Sequence, residues 1–157
     1  MKILVLSPLA LTLFSKEAVM KLFTKLLMVI LVSFSASSFA EVSMVVNSVN
    51  GDEINAKTIK RIYLGKLKSF PGGARVNVLT LPDSAESTEA FRDKALKKSN
   101  SQFKSYWSKL AFTGKGTPPK EIANDAAMIE AVKSDPNAIG FVDSGSVTGD
   151  VKVVATY

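Results

Sequence analysis

Apolar and polar residues alternate in blocks along residues 41–157, and these blocks predict strands that alternate with helices. Short runs rich in β-branched residues are typical of strands. Runs of this kind are Val42–Val46, Val76–Leu81, Ile139–Val142 and Val151–Thr156. Between them, apolar residues recur at the spacing of a helix with one buried face. This alternation favours a mostly parallel sheet with helices on both faces, so the pattern predicts one α/β domain over residues 41–157.

The predicted helices each follow a residue that can cap a first turn. Side chains of Ser, Asp and Asn accept hydrogen bonds from the free backbone N–H groups there. The expected caps, in chain order, are Asn55, Asp83 or Ser84, Ser99 or Ser101, and Asn124. Gly65 is expected to end the first helix in the left-handed conformation. In the third helix, Phe103, Trp107 and Leu110 recur at helical spacing, which indicates a core-facing stripe, with a partner-binding face as the alternative.

The first forty residues have a different pattern. Basic residues Lys21 and Lys25 precede the apolar run Leu26–Phe34, and small residues follow as far as Ala40. This layout is typical of a secretory signal peptide, here residues 20–40, cleaved after Ala40. A membrane anchor is the alternative, but a spanning helix needs about 20 apolar residues and this run is much shorter. Residues 1–19 are interpreted as an upstream extension introduced by the gene model, or else as a genuine longer leader.

Charge and residue types restrict the possible chemistry. The full chain has a formal net charge of +6, whereas residues 41–157, with 16 basic and 13 acidic side chains, have +3. This excess is too small to predict a nucleic-acid partner, which needs Lys and Arg clustered on one face. The sequence has no cysteine and no histidine, which excludes disulfides, thiolate metal sites and histidine bases. We therefore expect no metal and no cofactor.

One catalytic pattern remains, a serine three residues before a lysine. Ser101 and Lys104 match the S-x-x-K spacing of serine acyl-enzymes. The companion motifs of those enzymes are absent, and Ser101 lies where a helix cap is expected. The sequence therefore predicts a protein that is not an enzyme.

Three short segments carry a resemblance to a known family. They are I-Y-L-G-K-L-K-S-F (Ile62–Phe70), A-F-T-G-K-G (Ala111–Gly116) and N-A-I-G-F-V (Asn137–Val142). In this order and at these distances they resemble the second lobe of the periplasmic phosphate-binding proteins, which are type II solute-binding proteins of ABC transporters. The resemblance runs from about Glu41 to Tyr157. It implies a single lobe of a two-lobed fold, located in the periplasm.

The resemblance implies an oxyanion site in the loop Pro82–Thr88. In that family, backbone N–H groups and hydroxyls at a helix start hold the anion, because a helix N-terminus carries unpaired donors and partial positive charge. The matching candidates for ligand contact here are Ser84, Ser87 and Thr88.

The same loop departs from the family pattern at several positions. The Gly-Ser-Gly-Thr sequence is not kept, since Ala85 and Glu86 lie in its middle. The arginine expected just upstream is replaced by Leu81 or its neighbour. The alternative interpretation is that Asp83 and Glu86 form a reciprocal capping box at an ordinary helix start.

A second set of candidate ligand contacts consists of Thr113 and Lys115. Glycines on both sides of the lysine allow the backbone to approach a ligand closely. The alternative is that these glycines end the preceding helix. The segment Ile139–Phe141 is also distinctive of the family, but it is expected to pack as a strand beside a helix.

Two functions follow from the resemblance. The first is a periplasmic solute-binding module that binds phosphate or another oxyanion for an inner-membrane transporter. A homodimer, or a second lobe from another protein, would then complete its cleft. The alternative is a protein-interaction or sensory module that keeps the lobe and has lost the ligand.

Overall fold

The computed structural model of the protein describes residues 41–157, and the predicted signal peptide and upstream extension lie outside the described residues. The strands and helices, in chain order, are β1 (Val42–Asn47), α1 (Ala56–Tyr63), β2 (Asn77–Thr80), α2 (Glu86–Phe91), α3 (Asn100–Phe112), β3 (Lys120–Glu121), α4 (Asp125–Ser134), β4 (Ala138–Asp143) and β5 (Val151–Thr156). A π-helical turn, Arg92–Leu96, continues α2, and a 3-10 turn, Ser144–Ser146, follows β4. Within the described part, no helix has the length and apolar composition to cross a bilayer.

The strands form one sheet in the order β3-β2-β4-β1-β5. Strand β2 is parallel to β3 and β4, whereas β1 is antiparallel to both of its neighbours, β4 and β5. The α/β class is confirmed, but the predicted mostly parallel sheet is only partly correct. Four strands share one direction and β1 runs against them. The alternation of strands and helices identifies strands, but it does not fix where the first strand inserts.

Strand β1 is a fully buried inner strand of the sheet. All six of its residues are buried, as expected for an apolar run covered on both faces. Its last residue, Asn47, donates two hydrogen bonds from Nδ2, to the carbonyls of Val132 (3.0 Å) and Lys133 (2.8 Å). These carbonyls belong to the last turn of α4, where a helix has no internal donors left. Asn47 therefore attaches the end of α4 to the sheet.

Most of the predicted caps are confirmed. Asn55 accepts a hydrogen bond from the Thr58 N–H, and Asn124 accepts one from the Ala127 N–H, both at 2.9 Å. Ser99 forms a capping box with Gln102 at the start of α3. These caps depend only on neighbours three residues away, which is why the sequence pattern locates them.

The start of α2 differs from its prediction. The cap is Ala85, which has no side-chain hydrogen bond to the helix. The alternative of a capping box between Asp83 and Glu86 is therefore wrong. The Asp83 carboxylate instead forms ion pairs with Arg92 and Lys104.

The stripe predicted in α3 faces the core. Phe103 and Trp107 are buried, and Leu110 packs partly buried against them. The Trp107 indole N–H donates to the Tyr63 carbonyl at 3.2 Å. Gly65 ends α1 with φ +65°, and a Cβ at this position would lie 2.7 Å from Trp107 Cη2. The predicted left-handed glycine is confirmed, and it also lets the indole pack against the backbone.

Candidate functional site

A cleft of about 640 Å³ lies where three parallel strands end. We call it the carboxyl-end cleft. Its lining residues follow β2 (Leu81, Pro82, Ser84, Ala85, Glu86 and Ser87), follow β3 (Ala123, Asn124, Asp125 and Ala126), or close β4 and the turn after it (Asp143 and Ser146). Open α/β sheets generally bind ligands outside the carboxyl ends of their strands. The carboxyl-end cleft is therefore where a sheet of this type would hold a ligand.

The three hydroxyl residues predicted in this loop have different environments. Ser84 is exposed and lines the cleft. Ser87 also lines it but is only 7% exposed. Thr88 is fully buried, does not line the cleft, and its Oγ1 has no hydrogen-bond partner among residues 41–157. Ser84 and Ser87 are thus the two predicted donors that the fold brings together.

The charges of the carboxyl-end cleft are negative. Glu86, Asp125 and Asp143 line it, and none of its lining residues is basic. Two of the carboxylates also organise backbone, since Asp125 accepts from the Asp143 N–H at 3.2 Å and Asp143 accepts from the Gly145 N–H at 2.8 Å. An anion in this cleft would gain hydrogen bonds from hydroxyl and N–H groups but would meet like charge.

The second predicted pair of contacts lies at the opposite end of the parallel strands. Lys115 lines a larger cleft of about 890 Å³, formed by β2, by the segments that precede β2, β3 and β4, and by residues of α1, α3 and α4. Three further basic residues line it, Lys68, Arg75 and Lys120, together with a single acidic residue, Asp135. We call it the basic cleft. Lys115 therefore does not share a cleft with Ser84 and Ser87.

Thr113 and the glycines beside Lys115 have structural roles. Thr113 is the C-cap of α3, and its hydroxyl donates to the Lys109 carbonyl at 2.9 Å. Gly114 has φ +66°, the left-handed conformation common just after a helix. A Cβ at Gly116 would lie 3.1 Å from Trp107 Cζ3, so this glycine lets the loop pack on the indole. These positions are explained by the end of the helix. Gly114, Lys115 and Gly116 line the basic cleft, whereas Thr113 does not.

Solved structures with a similar fold over part of their length include phosphate transport proteins. The similar proteins include an ABC-type phosphate transport receptor from Vibrio cholerae (18% identity, TM-score 0.52) and a putative phosphate ABC transporter substrate-binding protein with bound phosphate from Clostridium perfringens (17%, 0.58). PstS from Borrelia burgdorferi is a third (14%, 0.52). The chain folds like one part of these receptors. The match covers 74% of this chain in each case, but only 46%, 45% and 48% of theirs.

At these identities the likeness is one of fold. It confirms the predicted resemblance to phosphate-binding proteins at that level, and its extent agrees with a single lobe. The proteins from Vibrio cholerae and Clostridium perfringens are named as transport proteins. No protein-family model matches the sequence, and no curated protein does either.

The structure contains one arginine near the candidate loop that sequence reasoning missed. Arg92, at the start of the π-helical turn, is only 3% exposed. Its Nη1 donates to Asp83 at 2.5 Å and to Asn100 Oδ1 at 2.9 Å, and its guanidinium lies 4.4 Å from the ring centroid of Phe103. All of these contacts are internal, so this cation is not presented to the cleft. No periodic signal in the sequence relates positions 83 and 92.

Asp83 is held in its charged form by two cations. Burial alone would raise its pKa above the ordinary 3.8, but hydrogen bonds and charge from Lys104 and Arg92 outweigh burial, so the pKa is lowered.

The ion pair between Asp83 and Lys104 also affects the interpretation of the S-x-x-K pattern. The Lys104 ammonium forms an ion pair with the Asp83 carboxylate instead of acting as a base for Ser101. Ser101 is an exposed residue in the first turn of α3.

We expect Asp83→Asn to reduce the sensitivity of the fold to acid. A carboxyl whose pKa is depressed in the folded state contributes stability above its unfolded pKa, and this contribution is lost as pH falls through the folded value. The wild-type urea midpoint should therefore drop more steeply than that of the variant below about pH 4. At pH 7 the variant should be less stable by about 1 kcal/mol, since the carboxylate is partly exposed and screened.

Urea unfolding followed by circular dichroism at pH 7 and pH 3 measures this difference. Asp93→Asn, which removes an exposed carboxylate from the π-helical turn next to Arg92, is the matched control and should keep the wild-type pH profile. Parallel profiles for wild type and Asp83→Asn would contradict the assignment of Asp83 as the charged partner of Arg92 and Lys104.

Proposed function

We propose that the chain is an exported solute-binding module that binds a small oxyanion in the carboxyl-end cleft and works with an inner-membrane transporter. The observation that carries the proposal is the position of this cleft. It lies at the carboxyl ends of β2, β3 and β4, in a fold similar to one part of phosphate transport receptors. The predicted signal peptide at residues 20–40 supports a periplasmic location.

The donors for the anion are the hydroxyls of Ser84 and Ser87 and the backbone around them. Among residues 41–157, the N–H groups of Glu86 and Ser87 have no acceptor, because the hydrogen bonds at the start of α2 begin with the Thr88 and Glu89 N–H groups. Unpaired N–H groups of this kind attract an anion. They supply hydrogen bonds without supplying a full positive charge.

The affinity is expected to be low. Each hydrogen bond to a charged group contributes about 1.5–3 kcal/mol. The carboxylates of Glu86, Asp125 and Asp143 oppose the anion, and no basic side chain lines the cleft. We therefore expect a Kd on the order of 1 mM, which corresponds to about −4 kcal/mol.

A second candidate function is a protein-interaction or sensory module without a small ligand. The same three carboxylates favour this function, because they would repel an anion. Arg92 also favours it, because its guanidinium is already hydrogen-bonded to Asp83 and Asn100. The two candidates differ in one measurable property, which is whether an oxyanion stabilises the folded protein.

The test is a thermal-unfolding series of the purified protein with phosphate, sulfate and chloride at matched ionic strength. A ligand at ten times its Kd stabilises by about 1.4 kcal/mol. This corresponds to a rise in Tm of about 3–6 °C for a domain of this size. We expect phosphate or sulfate to produce this rise above the chloride baseline, and the double variant Ser84→Ala/Ser87→Ala to lose it.

Two further variants sharpen the test. Ser105→Ala/Ser108→Ala removes two exposed hydroxyls from α3, outside the cleft, and should keep the wild-type response. Glu86→Gln removes like charge from the cleft and should increase the affinity several-fold. If no oxyanion raises the Tm above chloride, the proposal fails and the module without a ligand is the better description.

A further inference from the structure

The basic cleft has an excess of positive charge that the protein does not neutralise. Lys68, Arg75, Lys115 and Lys120 line it, and within residues 41–157 none of them has an acidic partner within ion-pair distance. The single acidic residue, Asp135, accepts hydrogen bonds from Asn77 Nδ2 at 2.7 Å and from the Asn137 N–H at 2.9 Å. Four cations thus surround one cleft whose only carboxylate already has partners.

The backbone beneath these cations is ordered by hydrogen bonds. The Lys68 carbonyl accepts from the Val76 N–H at 3.0 Å, and the Lys115 N–H donates to the Leu110 carbonyl at 2.9 Å. Lys120 belongs to β3, which pairs in parallel with β2. The charged side chains therefore extend from fixed positions around the cleft, although their ends are exposed to solvent.

The floor of the basic cleft is apolar. Leu67, Val78 and Ile122 line it, and each is only partly buried against the core. The edge of Trp107 also contributes. An inorganic anion would neutralise the cations but leave this apolar surface in water. A ligand with both an anionic head and an apolar body would satisfy both parts of the cleft.

We propose that the basic cleft binds a small amphipathic anion, with a phosphate or carboxylate head among Lys68, Arg75, Lys115 and Lys120 and an apolar body on the floor. The cleft volume of about 890 Å³ is of the size that accommodates such molecules. The four basic side chains favour an anion. The apolar floor favours an anion that also carries an apolar group over a purely inorganic one. This site shares no residue with the carboxyl-end cleft, so the inference does not depend on the proposed oxyanion function.

Octyl phosphate, kept below its micellar concentration, is the probe. Titration calorimetry with the purified protein should give binding at least tenfold tighter than for inorganic phosphate or for octyl glucoside, which carries the same tail without charge. The variant Arg75→Gln/Lys115→Gln should bind octyl phosphate at least about tenfold more weakly, since it removes two charged hydrogen-bond donors. Both residues are exposed, so the variant is expected to fold normally.

The matched control is Lys57→Gln/Lys109→Gln, which removes two exposed lysines outside the basic cleft and causes the same change in net charge. This control should keep the wild-type affinity for octyl phosphate, as should Ser84→Ala/Ser87→Ala. The proposal is overturned if octyl phosphate binds no tighter than octyl glucoside or inorganic phosphate. It is equally overturned if the control and the cleft variant lose the same affinity. If Ser84→Ala/Ser87→Ala loses the binding of inorganic phosphate but keeps the binding of octyl phosphate, the loss belongs to the carboxyl-end cleft and not to the basic cleft.

Discussion

Phe91→Ala is expected to lower the free energy of unfolding by about 3–5 kcal/mol. Phe91 is 1% exposed and lies where α2 meets α1 and β4. Its ring centroid is 4.6 Å from that of Tyr63, edge to face, and 4.5 Å from that of Phe141, nearly stacked. Truncation would leave a cavity between rings that are themselves fully buried and held by the surrounding helices and strands. The cost therefore combines lost burial with the cavity left behind.

Phe112→Ala is the matched control for this prediction. Phe112 ends α3 and is 94% exposed, so its truncation should change stability by less than about 0.5 kcal/mol. Alanine is a good helix former at both positions, so helix propensity does not obscure the comparison. Urea unfolding measures both variants. A loss below about 1 kcal/mol for Phe91→Ala would mean that the aromatic cluster does not form the centre of the core.

Gly140→Ala is expected to cost about 1–3 kcal/mol, because it overfills the contact between β4 and α4. A Cβ at Gly140 would overlap Met128 Sδ and lie 3.3 Å from Val132 Cγ2. Met128 and Val132 are both fully buried, so neither can turn out toward solvent. The segment recognised as distinctive in the sequence thus contains a glycine that lets a helix approach a strand.

A double-mutant cycle tests this explanation. Met128→Ala alone should cost about 2–5 kcal/mol, because it creates a cavity. In Gly140→Ala/Met128→Ala the new methyl group occupies part of that space, so the combined loss should be smaller than the sum by about 1 kcal/mol or more. Gly51→Ala, where no atom lies within 4 Å of the added Cβ, is the control for the substitution itself. If the stability losses of Gly140→Ala and Met128→Ala simply add in the double variant, the steric contact between these two positions is contradicted.

Much of this fold was predictable because its signals are local. The caps Asn55, Ser99 and Asn124 act on residues three positions away, and the apolar runs became strands. The direction of β1 was not predictable in the same way. It depends on pairing with β4 and β5, which lie about a hundred residues later in the chain. Strand β3 has only two residues, and its pairing with β2 alone identifies it as a strand.

The candidate site was predictable residue by residue but not as an arrangement. Ser84 and Lys115 were both candidates for ligand contact, yet they line clefts at opposite ends of the parallel strands. The resemblance identified positions in the sequence, but only the topology of the sheet determines which end each loop occupies. Arg92 was missed for a related reason. Its partners Asp83 and Asn100 meet it only because the π-helical turn and the start of α3 bring them together.

Trp107 gives the protein an intrinsic optical reporter. It is the sole tryptophan of the chain, it is 6% exposed, and one edge of its ring lines the basic cleft. Its fluorescence should therefore be blue-shifted in the native state and shift to the red when the core opens. An occupant of the cleft would alter the intensity without that shift. A single emission spectrum can thus distinguish a change in the local environment of the indole from loss of the fold.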